Sequence, residues 1–171
     1  GYAFPNDYRR NALAEELHQS YGKHEDEHLR EEDVHVRVAG RMMVKRVMGK
    51  ASFIKLQDRT GQIQVRLERD RLAEGAYQDF KKWDVGDILG ASGSLFKTKT
   101  GEPSIQVDEV KLLTKSLRPL PGKFHGLTDT ELRYRQRSLE MIMTQEVKAT
   151  FTHITNIITF IRTHFHGPDI R

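Results

Sequence analysis

Apolar and polar residues alternate along residues 52–58, the pattern of a strand that buries one face. Ile54 and Leu56 share the inward face, whereas Phe53 falls on the outward face among polar residues. An aromatic ring that faces outward from a strand can stack on an unpaired nucleobase. The alternative is that a loop or a terminal helix covers the Phe53 ring.

The segment after the turn at residues 59–61 repeats this alternation. Its inward residues are Ile63, Val65 and Leu67, and its outward residues are Gln62, Gln64 and Arg66. The outward face of the two strands therefore combines a ring with amides, which can read a base edge, and with cations, which can hold phosphates. The pattern predicts a surface for single-stranded nucleic acid.

Similar patterns predict five strands in all, at residues 34–47, 51–58, 61–67, 88–97 and 104–113. Between the third and fourth strands, Asp70 can cap a helix that ends near Trp83. Gly40 predicts a bulge where the long first strand bends. Three strands, a helix and two strands is the order of the OB-fold, a partly open five-stranded barrel that binds oligonucleotides. The expected fold class is mainly β with helices (α+β).

Helical spacing is also present before the predicted barrel. Pro5 and Asn6 can start a helix, and Leu13, Leu17 and Tyr21 recur on one stripe of it. We expect this helix to pack on the barrel. Residues 1–33 are therefore predicted to be an N-terminal helical segment, and residues 34–113 the OB-fold domain.

Two more helices are predicted after a proline-containing linker at residues 114–127. Residues 128–131 have capping-box spacing, and residues 145–166 form the longer helix. Apolar residues of the longer helix recur at spacings of four and three, at Val147, Phe151, Ile154, Ile158, Ile161 and Phe165. Such a seam needs a partner, either the body of a second domain or the same helix of another subunit.

Positive charge is concentrated on the predicted strands that carry Phe53. Residues 34–58 hold six Lys or Arg against one acid, whereas residues 15–33 hold eight acids against two Lys or Arg. A nucleic-acid face would require such a field, and the alternative is an ordinary solvated face. The 171 residues carry a net charge of +4 and include no cysteine, which excludes disulfides and thiolate sites. Without a membrane-spanning run or a leader, the chain is expected to be soluble and cytoplasmic, with no membrane partner.

Two short motifs point to other chemistry only weakly. Residues 24–28 match the H-E-x-x-H zinc pattern, but the segment is almost wholly polar, so a solvated acidic helix is the better interpretation and no metal is expected. Gly86, Gly90 and Gly93 are spaced like a glycine-rich loop, but no Gly-Lys-Ser/Thr follows them. No Ser, His and acid set stands out as a catalytic triad.

Six stretches are similar to bacterial class II lysyl-tRNA synthetases: FPNDYRR at 4–10, GRMM at 40–43, MGKASF at 48–53, FKTKTGE at 96–102, LRPLP at 117–121 and RYRQR at 133–137. The resemblance implies an N-terminal OB-fold that binds the anticodon stem-loop of tRNA-Lys. It also implies that residues 128–171 are the start of a catalytic domain and that the protein is a homodimer through its motif 1 helix.

The resemblance also implies roles for individual residues. Phe53 would stack on the central anticodon uridine, Gln64 would read a base edge, and Arg46 would lie beside the same bases. Glu102 would contact an anticodon uridine. The candidate anticodon-binding set also includes Lys45, Lys50 and Lys55, and the candidate dimer interface consists of Phe151, Ile154, Ile158 and Ile161.

The chain departs from that family after residue 165, where it reads HGPDIR and lacks the motif 1 proline and the class II motifs 2 and 3. We therefore expect a truncated chain that has no catalytic residue, binds no cofactor and does not aminoacylate alone, with ATP and Mg used by the full-length enzyme. The alternative function is a stand-alone OB-fold module for single-stranded RNA, or a synthetase paralogue without aminoacylation.

Overall fold

The computed structural model describes residues 7–22, 27, 29, 33–98, 100–118, 120 and 130–166. The chain divides into two compact units, Gly1–Pro119 and Leu120–Arg171. No helix within the described residues is long and apolar enough to cross a bilayer.

Five strands of the first unit form a closed ring. They are β1 His35–Met48, β2 Ala51–Gln57, β3 Gln62–Glu68, β4 Ile88–Lys97 and β5 Pro103–Thr114. Around the ring the order is β1, β2, β3, β5 and β4, and β1 closes it by pairing with both β2 and β4. The β3–β5 pair is parallel and the other pairs are antiparallel. This is the OB-fold that the order of elements predicts.

The long strand β1 changes register once along its length. Its pairing with β2 shifts between Met42 and Val44, so the bulge predicted at Gly40 is wrong. Gly40 has another role, because a Cβ atom there would lie 2.7 Å from the carbonyl oxygen of Gln57. The bulge reverses the faces of β1, so that Val44 and Arg46 are paired with outward residues of β2 and Lys45 is paired with the buried Ile54.

The inward residues of all five strands form one core with the helix α2, Ala76–Lys82. Tyr77 and Phe80 of α2 are almost fully buried, and the Tyr77 hydroxyl lies 2.8 Å from the Ser52 hydroxyl. The helix is shorter than predicted because it begins after Gly75, whose φ of 83° favours glycine. Asp70 does not cap it and instead pairs with Arg69.

The first helix, α1 (Ala14–Tyr21), packs on the barrel as expected, with Leu17 buried in the core. Pro5 and Asn6, where a start was predicted, lie outside the described residues. Residues 7–13 are not helical, and the helix begins at Ala14, where its first amides find their acceptors in the β2–β3 turn. The Ala14 amide donates to Asp58 Oδ2 at 2.8 Å, and the Glu15 amide donates to Thr60 Oγ1 at 3.2 Å. The cap of α1 therefore comes from a distant part of the chain.

The Asp58 carboxylate is the centre of this arrangement. It also accepts hydrogen bonds from the amides of Thr60 and Gly61 and from the Thr60 hydroxyl. Partial burial on its own would raise the Asp58 pKa, but the four hydrogen bonds outweigh it and lower the pKa below the ordinary 3.8. The charged form of Asp58 therefore joins α1 to the barrel.

The second unit contains α3 (Thr130–Arg135), α4 (Arg137–Met143) and α5 (Gln145–Phe165). The single helix predicted to start at residues 128–131 is two helices, because Gln136 has φ −118° and ψ 51°. Thr128 itself lies outside the described residues. The long helix α5 has the predicted position.

The helix α5 buries none of its residues in the described structure. Ile154, Ile158 and Ile161 of the predicted seam are 42–45% exposed, while Phe151 is half-buried under the Arg137 guanidinium, which lies 5.2 Å from its ring centre. The apolar band is also wider than the seam, since the large side chains Ile157 and Phe160 are exposed beside it.

Candidate nucleic-acid interface

The alternation predicted for β2 and β3 is confirmed. Every second residue is buried, and Phe53 pairs across the sheet with Arg46 on one side and Arg66 on the other. Directly paired residues of neighbouring antiparallel strands point to the same side of a sheet. We call the surface formed by Arg46, Phe53, Lys55, Gln64 and Arg66 the outer face.

The Phe53 ring is half-buried on the outer face and is not part of the core. The Arg66 guanidinium carbon lies 5.8 Å from the centre of the ring, which is within the range of a cation–π contact. Arg66 also pairs with Glu68. A charged side chain therefore lies over the ring, which keeps a part of its surface open to a stacking partner.

A second cluster lies beside the ring, where the β4–β5 loop meets β2 and β3. Lys55 Nζ and Glu102 Oε1 are 3.0 Å apart, and both side chains are about one-third exposed. The Gln64 amide nitrogen donates to Ser104 Oγ at 3.2 Å, and Gln64 is the cross-strand partner of Lys55. The structure thus brings the residues of β2, β3 and the β4–β5 loop together as groups that can recognise a base edge.

The loop that carries Glu102 has its own supports. The Thr98 amide donates to the Glu102 carbonyl at 3.1 Å, and the Glu102 amide donates to Thr98 Oγ1 at 3.2 Å. Gly101 has φ 79°, a conformation that side chains rarely adopt. The Glu102 carboxylate is therefore held at the edge of the outer face by a tight turn.

Lys45 does not belong to this surface, so the prediction that groups it with Phe53 is corrected. Its ammonium donates to three carbonyl oxygens at the end of α2, of Phe80, Lys81 and Trp83, at 2.6–3.1 Å. Partial burial is the main reason why its pKa is lowered from 10.5. Lys45 caps the C-terminus of α2 because the β1 bulge turns it inward.

Arg46 and Lys50 keep the exposed positions that a phosphate contact requires. Arg46 is on the outer face opposite Phe53, and Lys50 is in the turn between β1 and β2. The candidate dimer residues Phe151, Ile154, Ile158 and Ile161 belong to the separate C-terminal unit.

Two neighbours of the candidate site were not in the predicted anticodon-binding set. Arg66 was placed on the outward face by its parity but was left out of that set. Gln106 follows Arg66 in the ring through the parallel pairing of β3 with β5, which no local pattern indicates. Within the described residues, no group of three His, Cys, Asp or Glu side chains could hold a metal ion. Apart from Glu27, the H-E-x-x-H segment at residues 24–28 lies outside those residues.

Comparison with known proteins agrees with this architecture. A family of OB-fold nucleic acid binding domains matches residues 36–113. A lysine–tRNA ligase of Thioalkalivibrio sulfidiphilus is 59% identical over 162 residues, which cover 95% of this chain and 32% of the relative. A lysine–tRNA ligase of Idiomarina loihiensis is 59% identical over 163 residues, covering 95% of this chain and 32% of the relative.

A third relative, a lysine–tRNA ligase of Azoarcus sp., is 54% identical over 169 residues, which are 98% of this chain and 34% of the relative. The chain spans about a third of the length of these curated relatives. The resemblance seen in its motifs is thereby confirmed. Residues 36–113 match the family of OB-fold nucleic acid binding domains, and nearly the whole chain is similar to one third of a lysine–tRNA ligase.

Proposed function

We propose that this chain is the anticodon-binding part of a lysine–tRNA ligase and that its outer face holds the anticodon of tRNA-Lys. The observation that carries the proposal is the half-open Phe53 ring between Arg46 and Arg66, with amide and carboxylate groups beside it. An unpaired base can stack on the ring while its edge meets hydrogen-bonding groups, which is how proteins read single-stranded RNA.

The proposal assigns a separate role to each part of the outer face. Phe53 stacks on the central base, and Gln64, oriented by Ser104, reads a base edge. Glu102, which is paired with Lys55, accepts a hydrogen bond from a neighbouring uridine. The exposed cations Arg46 and Lys50 neutralise phosphates along the strand.

The parent reaction would join lysine to tRNA-Lys with ATP, in a class II enzyme that uses Mg. Because this chain matches only 32–34% of its relatives, most of that enzyme lies outside the match. In this proposal the residues of this chain bind and orient RNA, and the 171-residue chain alone should form no lysyl-tRNA. A cytoplasmic location belongs to the same proposal.

The test is a binding titration of tRNA-Lys against a copy with an altered anticodon. Replacing Phe53 by Ala should weaken binding of tRNA-Lys by about 1–3 kcal/mol, the usual contribution of one base–aromatic stack. A matched control is Phe160→Ala, which removes an exposed ring from the other unit and should leave binding unchanged. The proposal fails if Phe53→Ala unfolds at a much lower temperature while its folded fraction binds normally, because the ring would then serve the core.

A second titration separates base reading from general RNA binding. Gln64→Ala should reduce the preference for uridine over cytidine in the anticodon, because an amide recognises a base edge. An equal loss for all anticodons would contradict the role of Gln64. Equal binding of every anticodon by the unmodified chain would instead favour the general single-stranded RNA module.

A further inference from the structure

A shallow, open cleft of about 570 Å³ lies beside the β2–β3 turn. The chain that precedes α1 forms one side of it, Arg59 of the turn forms another, and Ala39 of β1 is also part of the wall. The volume is within the range of ligand sites in proteins. The cleft is separate from the outer face, because Arg59 is six residues beyond Phe53, a span of up to about 20 Å along an extended chain.

Positive charge predominates around this cleft. Among the described residues that line it, Arg9, Arg10 and Arg59 are basic and exposed, and Glu16 is acidic. The Glu16 carboxylate already accepts a hydrogen bond from the Leu13 amide at 3.1 Å. Within the described part of the chain, neither Arg9 nor Arg10 forms an ion pair with a carboxylate. Neighbouring guanidinium groups repel each other, and an anion between them would remove that repulsion.

Residues 9 and 10 lie between two neighbours that are anchored on the barrel. The Tyr8 ring lies directly on Gly90, where an added Cβ atom would be 2.7 Å from it, and the Arg37 guanidinium carbon is 4.9 Å from the ring centre. On the other side, the Asn11 amide donates to the Arg37 carbonyl at 3.0 Å, and the Arg37 amide donates to Asn11 Oδ1 at 2.7 Å. The backbone of residues 9 and 10 is therefore held at both ends, which reduces the ordering that binding a ligand would require.

The charge and the chemistry of the three arginines indicate the ligand. A guanidinium group is always charged and presents a planar fork of donors that fits the oxygens of a phosphate. We propose that the cleft is a phosphate-binding site in which Arg9, Arg10 and Arg59 hold a phosphate group. An RNA chain is the source that the geometry favours, because β2 leads from Phe53 to the turn that carries Arg59. Only this choice of source rests on the proposed function, and a free phosphate compound is the other source.

The first experiment tests the site without RNA. Pyrophosphate is added to the 171-residue chain, and it should raise the melting temperature because a ligand stabilises the folded state that binds it. The double variant Arg9→Met and Arg10→Met removes two exposed charges and should lose this rise, while its melting temperature without ligand stays the same. The matched control replaces Lys81 and Lys82, two consecutive exposed cations of α2, by Met and should keep the rise.

The second experiment identifies the source of the phosphate. Affinity is measured at several salt concentrations for the anticodon stem-loop of tRNA-Lys and for a strand of three uridines, which is meant to occupy the outer face alone. The double variant should bind the stem-loop on the order of tenfold more weakly, with a salt slope reduced by about two. Its binding of three uridines should be unchanged. Arg59→Met changes the same cleft from the β2–β3 turn and should act in the same direction.

The combined results decide both the site and its source. Weaker binding of the stem-loop alone by the double variant supports the site and identifies RNA as the source. A melting-temperature rise that the double variant abolishes, with unchanged binding of the stem-loop, supports a free phosphate compound as the source. If the double variant behaves like the unmodified chain in both experiments, the phosphate site is overturned and the Phe53 stack remains. If the unmodified chain binds neither RNA, the proposed function fails, and the pyrophosphate result alone decides the cleft.

Discussion

The barrel buries its apolar residues, whereas the long helix α5 exposes them. In the barrel, Phe80, Met42 and Leu89 have no measurable exposure, and inward residues of every strand contribute to the core. In α5, Phe160 is 73% exposed and Ile157 is 59% exposed. Apolar surface stabilises a structure only when it is removed from water. The barrel thus buries its own apolar surface, whereas the apolar band on α5 stays exposed in the described structure.

The strongest way to test this contrast is to change the α5 seam. If a second copy covers it, replacing both Ile154 and Ile158 by Glu exposes four buried isoleucine positions per dimer. At about 1.5–3 kcal/mol for each buried side chain, the loss of at least about 6 kcal/mol should abolish the dimer. Sedimentation equilibrium measures the association, and tRNA binding per barrel should persist.

The matched control places Glu at Thr152 and Asn156, on the opposite side of the same helix by its periodicity. This variant should associate like the unmodified chain. A monomer at high concentration before any substitution would show that a second copy does not cover the seam.

Two Phe→Ala variants compare a buried ring of the barrel core with an exposed ring of α5. Phe80→Ala removes a fully buried ring that also makes an edge contact with Trp83, with ring centres 5.9 Å apart, and should cost about 3–5 kcal/mol of stability. Phe160→Ala should change the unfolding of the barrel by less than about 0.5 kcal/mol, because its ring is exposed. Urea unfolding measures both, and similar losses would mean that α5 belongs to the core.

Replacing Asp58 tests how much its hydrogen bonds to α1 and to the β2–β3 turn stabilise the folded protein. Asp58→Ala removes the acceptor of the Ala14 amide and of three groups in the turn, and should cost about 2 kcal/mol at neutral pH. Because the folded pKa is lowered below 3.8, this stabilisation is complete above the unfolded value near 3.8 and is lost as the pH falls through the folded value. The difference in unfolding free energy between the two proteins should therefore shrink in acid, and a constant difference would contradict the role of the charge.

The smallest expected effects are those of replacing Lys45, which supports the fold, and Lys50, which is proposed to contact RNA. Lys45→Met should cost about 1 kcal/mol of stability, because three carbonyl oxygens at the end of α2 lose their donor. Lys50→Met should leave stability unchanged and reduce the salt dependence of RNA binding by about one unit of slope. Thermal unfolding measures the loss of stability, and RNA binding at several salt concentrations measures the slope. If Lys45→Met changed the slope and Lys50→Met lowered the stability, the roles given to the two lysines would be wrong.

The sequence was sufficient wherever structure depends on near neighbours. The alternation at Ile54, Leu56 and Val65 predicted the buried face of β2 and β3, and with it the outward position of Phe53. The spacing of apolar residues likewise predicted α5. In each case a period of two or of three to four residues carries the information.

The predictions from the sequence were wrong where residues far apart in the chain determine the local structure. The bulge at Met43 reverses the faces of β1, and no local signal showed that Lys45 would turn inward. Gln106 lies beside Arg66 only because β3 and β5 pair in parallel, which no local pattern indicated. The start of α1 was placed too early for the same reason, because its cap lies in another hairpin.

The dependence of α1 on Asp58 also sets an order of events during synthesis. The helix is translated before its cap, because the carboxylate that accepts its Ala14 amide is 44 residues further along the chain. At about 5–20 residues per second, several seconds pass before the acceptor is made. A helix of eight residues is too short to persist alone in that interval. The helix α1 is thus made before the β2–β3 hairpin but gains its final structure only after it, and nascent chains that end before this hairpin should show an unprotected α1.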